Sequence, residues 1–177
     1  MRKWGKRAFW TGTALACLAV LYFGGQALLG LGGSAFRPWV STAVIGLGVL
    51  LGCVFLVMLI VLTVKLVLEP LGRGGWRTVQ RIVGPLAAAG LLWMMIFAGR
   101  AGLLGLVFSI KPEHVMDRDG ARMVAVVNSF LEVTVNYHAY QNFLTMGKDV
   151  LIYEDYGNGG YDPFEEGRDA QPLRTLP

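Results

Sequence analysis

Residues 8 to 33, "AFWTGTALACLAVLYFGGQALLGLGG", contain no charged side chain, and the stretch is followed at once by a second apolar run over 39–69, broken only by Lys65 before Glu69. At about 1.5 Å per residue each run, as a helix, exceeds the roughly 30 Å hydrocarbon core of a bilayer. No ordinary soluble core hides two such helices, so the pair is predicted to be a transmembrane hairpin reversed at "SAFRPW", where Pro38 suits a tight turn. A signal peptide has a basic start and an apolar core of about 7 to 15 residues. The first run is longer and leads into another span, so it is expected to be a retained anchor.

A Gly/Pro-rich basic connector, "PLGRGGWRTVQR", separates the hairpin from a third apolar run that begins at Ile82. The predicted spans are therefore about 8–33, 39–68 and 82–105 within a membrane domain of residues 1–110. Arg100 is the ambiguous position in the third span. A helix ending at Gly99 puts Arg100 at the interface, where its stem can snorkel, and that placement is preferred because a mid-bilayer Arg costs at least about 2.5 kcal/mol.

Charge is distributed by half. Residues 1–110 hold ten Lys/Arg and one acid, a net +9, whereas residues 111–177 hold six bases and eleven acids, a net −5. The bases of the first half flank apolar runs instead of forming a face, which argues against nucleic-acid binding. Arg2, Lys3, Lys6 and Arg7 before the first span, with Arg73, Arg77 and Arg81 in the connector, outweigh the lone Arg37 in the first loop. The positive-inside rule then places the amino terminus inside and, after three spans, the carboxyl terminus outside a cytoplasmic membrane.

Small residues recur at four-residue spacing, Gly48 with Gly52, Gly84 with Ala88 and Ala98 with Gly102, which lets helix backbones approach. The partners expected are the bilayer, the chain's own helices and either another membrane protein or a second copy. Spans one and two carry no Asp, Glu or His, so a transport pathway within one chain is not expected. Cys17 and Cys53 lie within the apolar runs and read as buried helix cysteines, with no disulfide framework in the polar half.

From Lys111 the period changes to two. Asp119-Gly120 between β-prone runs predicts a type I′ hairpin. "EVTVNYHAY" (132–140) alternates Val133, Val135, Tyr137 and Ala139 against polar neighbours, and "VLIYE" (150–154) supplies another strand. The fold expected is thus three transmembrane helices followed by an antiparallel β-meander of about four strands over 111–164, with residues 165–177 a flexible tail. A segment this small, with no cysteine, needs something to lean on.

Two groups in that segment invite a function. Tyr137, Tyr140, Tyr153, Tyr156 and Tyr161 suit a membrane interface or partner-binding face. Glu154, Asp155, Asp162, Glu165 and Glu166 surround the glycines of "DYGNGGYDPFEE" and are candidate ligands for a hard cation. Asp155–Glu166 has the length of an EF-hand loop, but Gly157 and Gly159 stand where side-chain oxygens are needed. The spacing of His114 and His138 matches no zinc motif. Nucleophile–base and phosphate-loop signatures are missing from the sequence and no cofactor is expected. The expected function is a noncatalytic accessory or assembly subunit presenting the β-rich face, with an extracytoplasmic cation-binding module and a homo-oligomeric channel component as the alternatives.

Overall fold

A computed structural model describes residues 2–68, 75–165 and 171–176, with residues 2 and 75–78 described by backbone alone. Of the sequence candidates, Arg73 and Glu166 lie outside the described residues, as do the side chains of Arg2 and Arg77.

Three helices, α1 (Arg2–Leu31), α2 (Pro38–Leu68) and α3 (Gly75–Ser109), are long and apolar enough to cross a bilayer, the arrangement of a multi-pass membrane protein. Most of their large apolar side chains are exposed, Leu21, Leu50 and Trp93 among them, as expected where lipid replaces a protein core. α3 departs from expectation at both ends. It starts inside the basic connector and passes through Arg100 without a break to Ser109. The expected end at Gly99 is therefore corrected: Ala101, Gly102 and the apolar residues after them extend the helix, and Arg100 lies about 13 Å below its last turn.

The chain divides into two compact units, Met1–Leu21 with Ile45–Leu106, and Tyr22–Val44 with Val107–Pro177. In the first, Trp4 at the start of α1 lies between the guanidinium of Arg7, 5.6 Å from its ring centroid, and the ammonium of Lys65, 5.0 Å away. The amino-terminal bases and the end of α2 thus share one end of the bundle, as a helical hairpin requires. Gly84 and Gly102 face α2 so closely that an added Cβ would overlap Val67 at the former and approach Val49 Cγ2 to 2.9 Å at the latter. Each belongs to one of the small-residue pairs noted in the sequence, whereas a Cβ at Gly52 would meet nothing within 4 Å.

The second unit is built on an antiparallel sheet. β1 (Ser34–Phe36), β2 (Glu113–Arg118), β3 (Ala121–Asn128), β4 (Glu132–Tyr140), β5 (Thr145–Asn158) and β6 (Arg174–Leu176) are arranged in the order β1-β5-β4-β3-β2, with β6 also paired to β5. β2 and β3 meet at Asp119 (φ 52°) and Gly120 (φ 77°), the left-handed pair a type I′ turn demands. The four-strand meander is present, and two short strands extend it. β1 comes from the loop between the first two helices, and β6 comes from the tail that was expected to be flexible.

Register shifts between β4 and β5 at Glu132/Thr134, Tyr137/His138 and His138/Tyr140 bend the pair, as bulges do. The bend lets both faces be buried. On one, Met123, Ala125, Val127, Val135 and Tyr137 pack with Met116, Ile152, Tyr156 and Phe164. On the other, Val124, Val126 and Met146 pack with Tyr140. The sheet leans on the helix ends that share its unit. Arg37, just before α2, is 6% exposed and donates to Glu113 Oε1 of β2 at 2.5 Å. Its backbone N–H donates to Leu144 O at 2.9 Å, and Thr42 Oγ1 in α2 donates to Ser109 O in α3 at 2.6 Å.

Candidate functional site

Charged chemistry on the first face of the sheet centres on Glu154, 3% exposed. Period-two alternation along β5 puts Glu154 on the same face as Ile152 and Tyr156, among apolar neighbours, so its carboxylate must find donors there. Three reach it. Arg118 Nη2 donates to Oε1 at 2.8 Å, Tyr137 OH donates to Oε2 at 2.7 Å and Tyr156 OH donates to the same oxygen at 2.9 Å. The Arg118 guanidinium also lies 4.6 Å from the Tyr137 ring centroid. Burial alone would push the Glu154 carboxyl up, but the hydrogen bonds from Arg118, Tyr137 and Tyr156 outweigh it and hold the group below its ordinary value. Burial, then the hydrogen bond to Glu154, pushes Tyr156 up to about 12, and Tyr137 is raised for the same reasons. The hydrogen bond to Glu154 raises Arg118 against the opposing effect of burial. All four groups are locked in one protonation state across neutral pH, which suits a strut and not a proton shuttle.

A second cluster forms where the loop after β5 folds back on β2. Asp162 Oδ1 accepts the Phe164 N–H at 2.9 Å and Asp162 O accepts the Glu165 N–H at 3.2 Å, a local turn that fixes the loop. The turn aims Asp162 Oδ2 at His114 Nε2, 2.8 Å away, and brings one Glu165 oxygen near, so that the three ligand atoms lie within 4.8 Å of one another. The His114 ring leans on Phe164, with centroids 4.7 Å apart. One imidazole and two carboxylates can hold a divalent transition metal, since three protein ligands plus water is an open-site arrangement.

The acids marked in the sequence are thus divided. Asp162 and Glu165 come together, but with His114 instead of Glu154, which faces the other cluster. Asp155 Oδ1 is occupied by the Gly157 N–H at 2.8 Å, and its carbonyl accepts the Leu173 N–H at 2.7 Å. Among the described acids, strand alternation turns Glu154 and Asp155 to opposite faces, so these two do not gather with Asp162 and Glu165 at one point.

The tyrosines do not form one surface. Tyr137 is 2% exposed and belongs to the core, Tyr156 packs beside it, and Tyr140 lies beneath the guanidinia of Arg37 and Arg122, at 5.7 and 4.5 Å from its centroid. Tyr153 and Tyr161 are half-buried. His138 is buried and its Nδ1 faces Gly147 O at 3.0 Å and Asp149 O at 3.1 Å, a hydrogen-bonded strand histidine.

In the helical unit Gly48 and Gly52 border an open groove with Ile45, Val49, Cys53, Leu56 and Ala98. Lys3, Lys6 and Arg7 begin α1, and Arg81 lies in the first turns of α3. Ala88 follows Gly84 by one helical turn.

Among known proteins nothing matches: no family model, no curated protein and no solved structure resembles the chain. What the molecule does must be argued from its own geometry.

Two sets of residues escaped the sequence reading. Arg37 and Glu113 form the ion pair that ties a helix end to the sheet, 76 positions apart in the chain. Arg118 joins Glu154 across 36 positions. The signal available for the second was parity: Glu154 falls on the apolar register of its strand, and a charge there calls for a partner.

Proposed function

We propose that this chain is a noncatalytic accessory or assembly subunit of a cytoplasmic membrane, with its amino terminus inside and its sheet displayed outside. The observation that carries the reading is β1. A segment of the first helical hairpin's loop hydrogen-bonds into the sheet, Ser34 opposite Gly147, Ala35 opposite Met146 and Phe36 opposite Thr145, so the display platform and the helix ends are one hydrogen-bonded structure. A tethered enzyme domain needs no such stitching, whereas a surface held at a fixed height for a partner benefits from it. The saturated state of Glu154 supports the same role.

The face offered is the outer edge of β5. There β1 covers residues 145–147 and β6 covers residues 153–155, leaving 149–152 without a strand partner on that edge among the described residues. Val150 and Leu151 are 47% and 42% exposed on this open stretch, which fits addition of an extended segment from another membrane protein. A photoreactive amino acid at Val150 or Leu151, in membranes, is expected to give a discrete adduct that one at Asp119 does not. Absence of any adduct at 150 and 151, or equal labelling at 119, removes the proposal.

A cation-binding module is the second reading, favoured by the approach of His114, Asp162 and Glu165 to one another. The imidazole changes the class of ion: zinc or manganese fits, and calcium, which takes oxygen ligands, does not. Micromolar zinc is expected to raise the unfolding midpoint of the native protein in detergent, and the gain should vanish in His114→Ala and in Asp162→Asn. An equal shift in all three proteins, or none in any, ends this reading.

A further inference from the structure

The loops at the two ends of β4 carry large, exposed apolar side chains. In the β3–β4 loop Phe130 is 68% exposed and Leu131 is 74% exposed; in the β4–β5 loop Phe143 is 66% exposed and Leu144 is 49% exposed. Loops that face water usually carry polar residues and turn formers, as the β2–β3 turn at Asp119-Gly120 does here. Each of the two β4 loops exposes an adjacent pair of large apolar residues, one pair near either end of the strand.

Their height relative to the spans is fixed by ring contacts. The Phe130 ring lies 5.0 Å from that of Phe108, the penultimate residue of α3. The Phe143 ring lies 4.8 Å from that of Trp39, the second residue of α2, and Trp39 Nε1 donates to Phe143 O at 3.2 Å. The two helix ends are themselves held side by side by the Thr42 to Ser109 hydrogen bond. Both loops are therefore level with the ends of candidate spans, where a bilayer passes from acyl chain to headgroup. The nine-residue strand β4 separates them.

The β4–β5 loop is also preformed. Asn142 Oδ1 accepts the N–H groups of Leu144 and Thr145, both at 2.8 Å, and Arg37 Nη1 donates to Phe143 O at 3.4 Å. Ordering costs on insertion are correspondingly small.

We infer that Phe130–Leu131 and Phe143–Leu144 insert into the boundary between headgroups and acyl chains of the same leaflet in which α2 begins and α3 ends, so that the sheet is held at three places: its helices and two apolar loops. Aromatic rings are favoured at that depth, and the rings of Trp39 and Phe108 extend the same belt. The lipid surface is the occupant because the exposed ring of each loop touches an aromatic residue at the end of a candidate span. The inference needs the helices to cross a bilayer but not the accessory role.

The test uses the full chain with Cys17→Ala and Cys53→Ala, reconstituted in phosphatidylcholine–phosphatidylglycerol vesicles. Single spin-labelled cysteines are placed at Phe130, Leu131, Phe143 and Leu144, with Val20 in α1 as a lipid reference and Asp119 as a water reference. Substitution at Leu131 and Leu144 leaves the ring contacts intact, which guards against a local loss of fold. Labels at all four loop positions are expected to collide with oxygen in preference to a water-soluble nickel chelate, shifting from the Asp119 value toward that of Val20. Loop labels that read as water while Val20 reads as lipid overturn the inference. Loop labels shielded from both reagents point to a protein occupant and overturn it as well. A Val20 label that reads as water shows that the helices have not inserted, and the inference falls with them.

Discussion

Glu154→Ala is expected to lower stability by about 3 to 5 kcal/mol, the usual cost of removing one partner from a buried ionic network. The loss has two parts. Tyr137 OH, inside the core, is left without an acceptor, worth about 1 to 3 kcal/mol by itself. Among the described residues Arg118 loses its one buried carboxylate partner, but its side chain is 30% exposed and recovers some hydration, which keeps the total from rising further. The measurement is the denaturant midpoint of the full chain in detergent, followed by tyrosine absorbance, with amide exchange along β4 and β5 as a local check. Replacing the set together, Glu154→Leu with Arg118→Met and Tyr137→Phe, should recover most of the loss, because no buried polar group is then left unpaired. Unchanged midpoints in Glu154→Ala would show that the network bears no load.

The same network sets the pH limits. The folded carboxyl of Glu154 lies below its ordinary value, so its contribution is fully present above the unfolded value of about 4.3 and is lost as pH falls through the folded one. Tyr156 moves the other way, from 10.0 to about 12, and Tyr137 is raised likewise. The stability they provide is complete below pH 10 and is lost as pH rises from there through the folded values. Glu154→Ala should therefore flatten the acid limb and only soften the alkaline one, because burial, the larger cause of the raised tyrosines, remains. An acid limb as steep as that of the native protein would assign it to other groups.

Arg37→Ala is expected to cost a similar 3 to 5 kcal/mol, with the damage at the join between helix ends and sheet. The side chains of Arg37 and Glu113 are only 8% and 12% exposed. Loss of the guanidinium strands the Glu113 carboxylate and removes a donor to Phe143 O. Arg37→Lys should rescue little, since a point charge does not replace a planar fork serving two acceptors. Among the described residues Arg37 Nε and Glu113 Oε2 have no partner even in the native pair, so the double change Arg37→Met with Glu113→Met should restore most of the stability. Amide exchange at β1 and β2 distinguishes this outcome: fast exchange there in Arg37→Ala, with α1 and α2 still protected, places the damage at the join. Protection of β1 and β2 equal to the native protein would remove Arg37 from that role.

Much of the architecture was legible in one dimension because it depends on local patterns. Uninterrupted apolar runs cannot fold as anything but long buried or lipid-facing helices, and Pro38 and the glycines near it mark where the first pair reverses. Asp119-Gly120 determines its turn because few residues tolerate two successive left-handed conformations. The alternation of Val133, Val135 and Tyr137 determines which face of β4 is interior. Each of these signals lies within a few residues of the structure it causes.

What needed the tertiary structure joins distant residues. Three residues, Ser34–Phe36, are too few to show a period, so β1 is visible only once β5 stands beside it. Gly147 reads as a strand breaker in the sequence, yet a Cβ there would lie 3.2 Å from that of Ala139, so the glycine marks a close crossing in the middle of a long strand. The acids around the glycines of 155–166 share composition but not direction, and alternation along β5 separates Glu154 from Asp155 before either can meet Asp162. The sequence by itself thus determined three long apolar helices, the β2–β3 hairpin and the strand faces, because burial periodicity is local. Which charge meets which, Glu154 with Arg118, Arg37 with Glu113 and His114 with Asp162, was decided by the sheet's order and bend, because a buried charge is satisfied by whatever donor the fold delivers, however far away it lies in the chain.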